Sequence, residues 1–503
     1  MLLLSIIKSM CLQGLNGILI DVEVDISTGM PCWEIVGLPD ANIRQSKQRV
    51  RTAIKNCNIE LYSRKYIINL SPANIRKDGA ILDLAIAVGI LISIGRIKRL
   101  NLNDTIFVGE LSLDGKINRV NGILPICVEA SKLGIKKVIL PKDNIKEASV
   151  VKNLEIVGVS NLIELVNYLN GNIKINSVAT EIEENDKFEN NINFSDVKGQ
   201  ESVKRALEIV AAGGHNCLMI GSPGTGKTMM ARRLTTILPD LEFEEALEIS
   251  KIHSISGNLK SQGLILNRPF RTPNHTITET GLLGGGRIPK PGEISLSHLG
   301  VLYLDELLEF KKSTLELLRI PMEDKQIHLV RNGIEVTYPC SFMLIASTNP
   351  CPCGYYGSKV KECICSENQR KAYMSKLSGP LMDRFDINIR VNSVEYNKLK
   401  SKKVETSKTI KERVNKARKI QIKRYKEYGI YSNSELTPSL IEKYCILDDE
   451  TNMFLNKYFD KLKLSVRTYS KILKIARTIA DLDGSRNIEK MHIMEAVQYK
   501  KEN

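Results

Sequence analysis

The sequence predicts an α/β protein of several domains that ends in a helical region. Three observations lead there. The chain of 503 residues is too long for one hydrophobic core, so roughly two to four domains are expected. Short, fully apolar runs such as Cys217-Leu-Met-Ile220 and Val301-Leu-Tyr-Leu304 read as strands buried on both faces, the mark of a parallel sheet. From Glu395 onward the apolar spacing turns helical.

Composition removes several classes. Gly and Pro, at 33 and 17 residues, are ordinary for a globular chain. The best membrane candidate, Ala80 to Ile94, is short and carries Asp83. Met1–Ile7 is apolar with no basic residues before it and no small-residue cleavage site soon after, so it reads as a first strand, not a signal peptide. A soluble, cytoplasmic protein is expected. The net charge of +15 fits either a solvated basic surface or attraction to nucleic acid. Eleven cysteines in such a chain argue against a disulfide framework. Seven lie singly, as small core residues do.

Residues 1–170 mix strands and helices. Ile18–Val24 alternates as a half-buried strand does, Ser46–Lys55 is helical, Tyr66–Leu70 is a strand, Ile81–Ile92 is a helix, and Val138–Leu140 is a strand stopped by Pro141. Residues 171–195, containing ATEIEENDKFENN, form a polar linker. The α/β pattern returns over 196–394, and 395–503 form a helical domain.

The strand Cys217–Ile220 runs into Gly221-Ser-Pro-Gly-Thr-Gly-Lys-Thr228, followed by a helix from Met229 to Leu238 that Pro239 stops. This is a phosphate-binding loop in its required strand–loop–helix setting. Gly221, Ser222, Pro223, Gly224, Thr225, Gly226, Lys227 and Thr228 would cradle nucleotide phosphates. Lys227 would reach the terminal phosphates, and the Thr228 hydroxyl would bind Mg²⁺. The strand Val301–Leu304 delivers Asp305 as the second Mg²⁺ ligand and Glu306 as the residue that activates water. A further strand ends in Asn349, which would orient that water, and Arg384 follows later as a charge for the transition state.

These parts, in this order, resemble an AAA+ ATPase. Asp196-Val-Lys-Gly-Gln200, Arg205 through His215, Arg268-Pro-Phe-Arg-Thr-Pro273, Gly284-Gly-Gly286, Pro291-Gly-Glu-Ile-Ser-Leu296 and Asn349-Pro-Cys-Pro-Cys-Gly354 resemble its magnesium-chelatase branch. Within that branch the chain is similar, over nearly its whole length, to the ComM/YifB family. A local departure is Asn274 before His275, where that family usually has His. The resemblance implies a hexameric ATP-dependent DNA helicase acting in branch migration, recombination and DNA uptake. It also implies a helical lid in which Ser465-Val-Arg467 brings Arg467 to the γ-phosphate.

Three further features bear on partners. The 77 residues between Lys227 and Asp305 exceed a plain helix–strand step, and in chelatase-like ATPases an insertion here projects toward the ring pore. Asn332-Gly333 predicts a hairpin within Ile327–Val336 with Arg331 near its tip, set either for DNA phosphates or simply as an exposed charge. Lys398 to Lys426 holds thirteen Lys/Arg and two Glu; Ile410–Tyr425 can be a helix with Ile410, Val414 and Ala417 on its packed stripe and a basic or merely solvated outer face.

Cys351, Cys353, Cys363 and Cys365 place four thiols in fifteen residues. They suit a tetrahedral structural Zn²⁺ site, although C-x-C is tighter than the usual knuckle; reduced free thiols or redox chemistry are the alternatives. Ser71 through Gly79, Val108 through Lys116 and Gly134 through Pro141 resemble the Lon protease domain. The positions matching its serine nucleophile and lysine base are Ile81 and Ile126, so peptidase chemistry is not expected. The reading is a Mg-ATP-dependent ring motor on single-stranded or branched DNA. The alternative is the motor subunit of a metal chelatase remodelling a protein partner.

Overall fold

The computed structural model describes residues 4–98, 101–177, 192–259, 263–358, 361–393, 405–462 and 465–500. Most of the expected linker and the first part of the basic run, residues 398–404, lie outside them.

The N-terminal part is built on a seven-stranded mixed sheet. In spatial order its strands are Cys32–Val36, Lys65–Ser71, Asn16–Ser27, Ser5–Gln13, Thr105–Phe107, Lys137–Pro141 and Glu155–Val159. The alternation seen in the sequence decides the faces. Ile20, Val22, Val24 and Ile26 point into the core, and the acidic residues between them do not. The helix Asp83–Ser93 is buried on all sides. Its Asp83 is tolerated there because Arg49 donates to both carboxylate oxygens at 2.9 and 3.1 Å, with the Leu111 amide at 3.3 Å. The first strand begins at Ser5 and continues to Gln13, further than Met1–Ile7 suggested, because it pairs along its whole length with Asn16–Ser27.

A second sheet carries the phosphate loop. It is five-stranded and parallel, in the order Phe270–Arg271, Val301–Leu304, Met343–Thr348, Cys217–Gly221, Ile387–Val391. Alternate residues of these strands feed two cores. Cys217, Met219, Tyr303 and Ile345 face the helices of the C-terminal region, among them Ile410, Val414, Ile475 and Ile479. Leu218, Leu302, Leu304 and Leu344 face Ile294, Leu315 and Phe385. The C-terminal region comprises the helices Ser407–Tyr425, Pro438–Tyr444, Asp449–Leu462, Val466–Leu482 and Lys490–Gln498. No helix among the described residues is long and apolar enough to cross a membrane.

The N-terminal sheet does not stand apart. Leu124 and Val150 pack with Ala246, Leu259 and Leu264, and the Gly122 amide donates to the Ser254 carbonyl at 3.2 Å. Of the seven single cysteines, six are buried; Cys32 is only half-buried, because its strand is at the sheet edge.

Candidate functional site

The phosphate loop sits between the end of Cys217–Gly221 and the helix Lys227–Leu234. That helix is shorter than the expected Met229–Leu238. It begins at Lys227 and tightens into a 3₁₀ turn over Thr235–Ile237. Gly224 and Gly226 have φ of +76° and +86°, so the curl needs glycine there. A Cβ on Gly221 would come within 2.4 Å of the Val391 carbonyl oxygen.

The catalytic candidates of this loop and its neighbouring strands meet. Lys227 Nζ donates to the carbonyls of Gly221 and Ser222 at 2.5 and 3.0 Å and to Asn349 Oδ1 at 3.3 Å. Burial pulls its ammonium below the ordinary lysine value, against the opposing pull of Asp305 and Glu306. The Thr228 hydroxyl donates to Asp305 Oδ2 at 2.6 Å. Burial works to raise the Asp305 carboxyl, but bonds from Ser347, Thr228, Tyr303 and the Glu306 amide outweigh it, and Asp305 titrates below the usual range. Glu306 takes the left-handed conformation, φ +51°, with its exposed carboxylate beyond the strand end. A hydroxyl beside a carboxylate held ionised is the hard-oxygen donor set that suits Mg²⁺.

The two arginines lie elsewhere. Arg384 is only 8% exposed and forms an ion pair with Glu323. Arg467, in the first turn of Val466–Leu482, reaches the same Glu323 Oε1 at 3.3 Å. Burial and the neighbouring Arg467 push the Arg384 guanidinium below its ordinary value, and Glu323 opposes them. The Arg384 turn is tied down by Lys471, which donates to the carbonyls of Asp383 and Phe385. Next to it, Asp386 accepts from the Asn216 amide at 3.0 Å and pairs with Lys471 at 3.5 Å. Burial opposes its ionisation, yet His215, Lys471 and Lys500 hold the Asp386 carboxyl far below the usual range.

Sequence reasoning missed Ser347, Tyr303, Glu323 and Lys471. Lys471 carried a signal, because it stands four residues from Arg467 on one helix face. Glu323 carried none, because its two partners are remote in sequence.

The remaining candidates are placed as follows. Arg331 is exposed where the strands Gln326–Arg331 and Ile334–Pro339 turn, and Asn332 and Gly333 have φ of +52° and +75° as the two-residue hairpin requires. The Arg268–Gly286 stretch is anchored at its start, and most of residues 274–281 are exposed. Arg268 is bonded to Pro239, Leu299 and Glu245, Phe270–Arg271 forms the sheet edge, and Arg271 pairs with Glu293 at 2.7 Å. Asn274 closes a local turn onto Thr276 at 3.1 Å, and His275 meets the Phe310 ring edge-on. The helix Ser407–Tyr425 buries the expected stripe and exposes Lys408, Lys416, Lys419 and Lys423, whereas Arg413 and Arg424 are paired with Glu208 and Asp481. The thiols of Cys351, Cys353, Cys363 and Cys365 converge, every sulfur lying within 4.8 Å of the others.

The parallel sheet and its loop define a nucleotide-binding protein of the AAA+ type, and family comparison gives the branch. Residues 193–399 match the family "Magnesium chelatase, subunit ChlI", 22–144 match "Subunit ChlI of Mg-chelatase", and 404–500 match the ChlI C-terminal family. The chain is 39% identical to Competence protein ComM of Haemophilus influenzae over 99% of its own length and 97% of that protein. It is 40% identical to YifB of Escherichia coli, with the same coverage of each chain. The chain is 26% identical to the magnesium-chelatase 38 kDa subunit of Rhodobacter capsulatus over 31% of its own length and 50% of that protein. The chain belongs to the magnesium-chelatase-like ComM/YifB family.

Proposed function

We propose that the protein is a Mg-ATP-dependent ring motor acting on single-stranded or branched DNA. The observation that carries the Mg-ATP part of this reading is the pair of contacts at the phosphate loop: Lys227 to Asn349 at 3.3 Å and Thr228 to Asp305 at 2.6 Å. The loop amides and Lys227 bind the phosphates, and Asn349 orients the attacking water. Glu306 accepts the proton that water gives up. Thr228 and Asp305 would hold Mg²⁺, which when bound neutralises charge on the phosphates. Arg384 and Arg467 would leave Glu323 to act at a γ-phosphate, Arg384 at that of a neighbouring subunit in a hexamer. The helical region 395–503 would serve as the lid.

The competence name of the Haemophilus relative, the net charge of +15, exposed Arg331 and the lysines of Ser407–Tyr425 support DNA as the track. The Lon-like reading of residues 1–170 stays a proposal of fold alone. Apolar Ile81 and buried Ile126 can neither attack a carbonyl nor take up a proton, so this part serves assembly or docking. The test is ATP hydrolysis by the full chain with and without branched DNA. Stimulation by DNA supports the motor; hydrolysis indifferent to DNA but raised by a protein partner of a metal-insertion enzyme favours the chelatase alternative.

A further inference from the structure

We infer that Cys351, Cys353, Cys363 and Cys365 hold one Zn²⁺ ion, and that this ion clamps together the two chain segments that set Asn349 and Glu306. The sulfurs have the spacing of a single tetrahedral site. Cys351 and Cys353 are 3.4 Å apart, and Cys363 lies 3.6 Å from each of them. Zinc–sulfur bonds of about 2.3 Å give a tetrahedron with edges of about 3.8 Å. A disulfide would bring a pair to about 2.05 Å, and all four thiols are free. An iron–sulfur cluster needs several irons and sulfides between its cysteines, so it demands a wider cage than this one. The main chain also prepares the sulfurs for negative charge. The Tyr356 amide donates to Cys351 Sγ at 3.3 Å, and the Cys353 amide donates to Cys365 Sγ at 3.4 Å.

Position gives the ion its use. Cys351 follows Asn349 by two residues, and Asn349 accepts from Lys227. The loop then presses on the phosphate loop. Gly354 has φ +82°, and a Cβ there would stand 2.7 Å from Pro223 Cδ. The other pair leads the opposite way. Cys365 precedes Ser366, the N-cap of the helix Glu367–Met374. Beyond it Tyr373 donates to Glu309 Oε1 at 3.3 Å and Lys376 to the Leu308 carbonyl at 3.2 Å, in the turn that follows Glu306. One ion would therefore join the Asn349 end of a strand, the face of the phosphate loop and the support of the Glu306 loop. The four cysteines are positioning residues in this role.

The inference deepens the ATPase reading, but only its kinetic part rests on that reading. Metal analysis of the purified full chain should find about one zinc per chain, with X-ray absorption showing four sulfur neighbours at about 2.3 Å. Cys363→Ser with Cys365→Ser should remove the zinc and lower kcat for ATP by about 10- to 100-fold, with a smaller change in nucleotide affinity. Gly354→Ala keeps all four thiols, so it should keep the zinc and still lower kcat. If the double variant does not fold, mercurial titration of the wild-type thiols, read by zinc release alongside ATP hydrolysis, takes its place. Metal-free native protein with four freely reactive thiols overturns the site, and so does iron in place of zinc. Full kcat after zinc removal overturns the clamp. Failure of ATP hydrolysis in the zinc-loaded wild type would count against the ATPase reading alone.

Discussion

The two groups of charged residues proposed to serve ATP are held in opposite ways. Lys227 bonds Asn349 and two phosphate-loop carbonyls, and Thr228 bonds Asp305. Arg384 and Arg467 are gathered on Glu323, with Arg384 only 8% exposed. Among the described residues, no hydrogen bond or ion pair joins the two groups. The first group needs only its own chain to reach its arrangement. The second shares one carboxylate, whose place a phosphate could take, because both present oxygens to a guanidinium. In the proposed motor, the neighbouring subunit's Arg384 would complete the site that the first group begins.

Substitutions on each side should differ in what they spare. Arg384→Ala should leave nucleotide binding nearly intact and lower hydrolysis by about 10³-fold, as loss of a transition-state arginine does. Glu306→Gln should bind Mg-ATP normally and lose about 10²-fold in single-turnover rate, because the proton acceptor is gone. Lost nucleotide binding in either variant would erase the contrast between the groups. Asp386→Asn should cost about 3 kcal/mol in denaturant unfolding, since it strips partly buried Lys471 of its carboxylate beside Arg384. The folded-state value of Asp386 is depressed, so its stabilisation is fully present above about pH 4 and is lost as pH falls through that lower value. The gap between wild type and Asp386→Asn should thus be constant above about pH 4 and narrow below it. Glu323→Gln should raise basal hydrolysis a few-fold, by about 1 kcal/mol of released arginine pairing. Unchanged or reduced basal rate would mean that Glu323 supports the arginines and does not restrain them. The smallest effect belongs to Arg331→Ala, which should lower the salt slope of DNA binding by about one.

Legibility in the sequence followed the same division. The phosphate loop, the Val301–Leu304 strand and Asn349 were readable because local order fixes them: a buried strand ends, and the next residue carries the chemistry. The Asn332-Gly333 turn and the Ile410, Val414, Ala417 stripe were readable for the same reason. The Glu323 contacts were not, because three segments far apart in sequence meet there. The anchoring of Arg268 was also hidden, since it reaches Pro239, Leu299 and Glu245. The four cysteines stood between these cases. Their spacing suggested a ligand set, but the contact between Gly354 and Pro223 came only with the fold.

Mixing two inactive variants tests the assembled site most directly. Arg384→Ala chains keep a working phosphate loop, and Lys227→Ala chains keep Arg384. Each alone should be nearly inactive in ATP hydrolysis. Mixed under conditions where both assemble, they should recover a measurable fraction of wild-type turnover, because an intact loop then meets an intact arginine from its neighbour. Assembled mixtures that stay as inactive as either variant alone would contradict completion of the site between subunits.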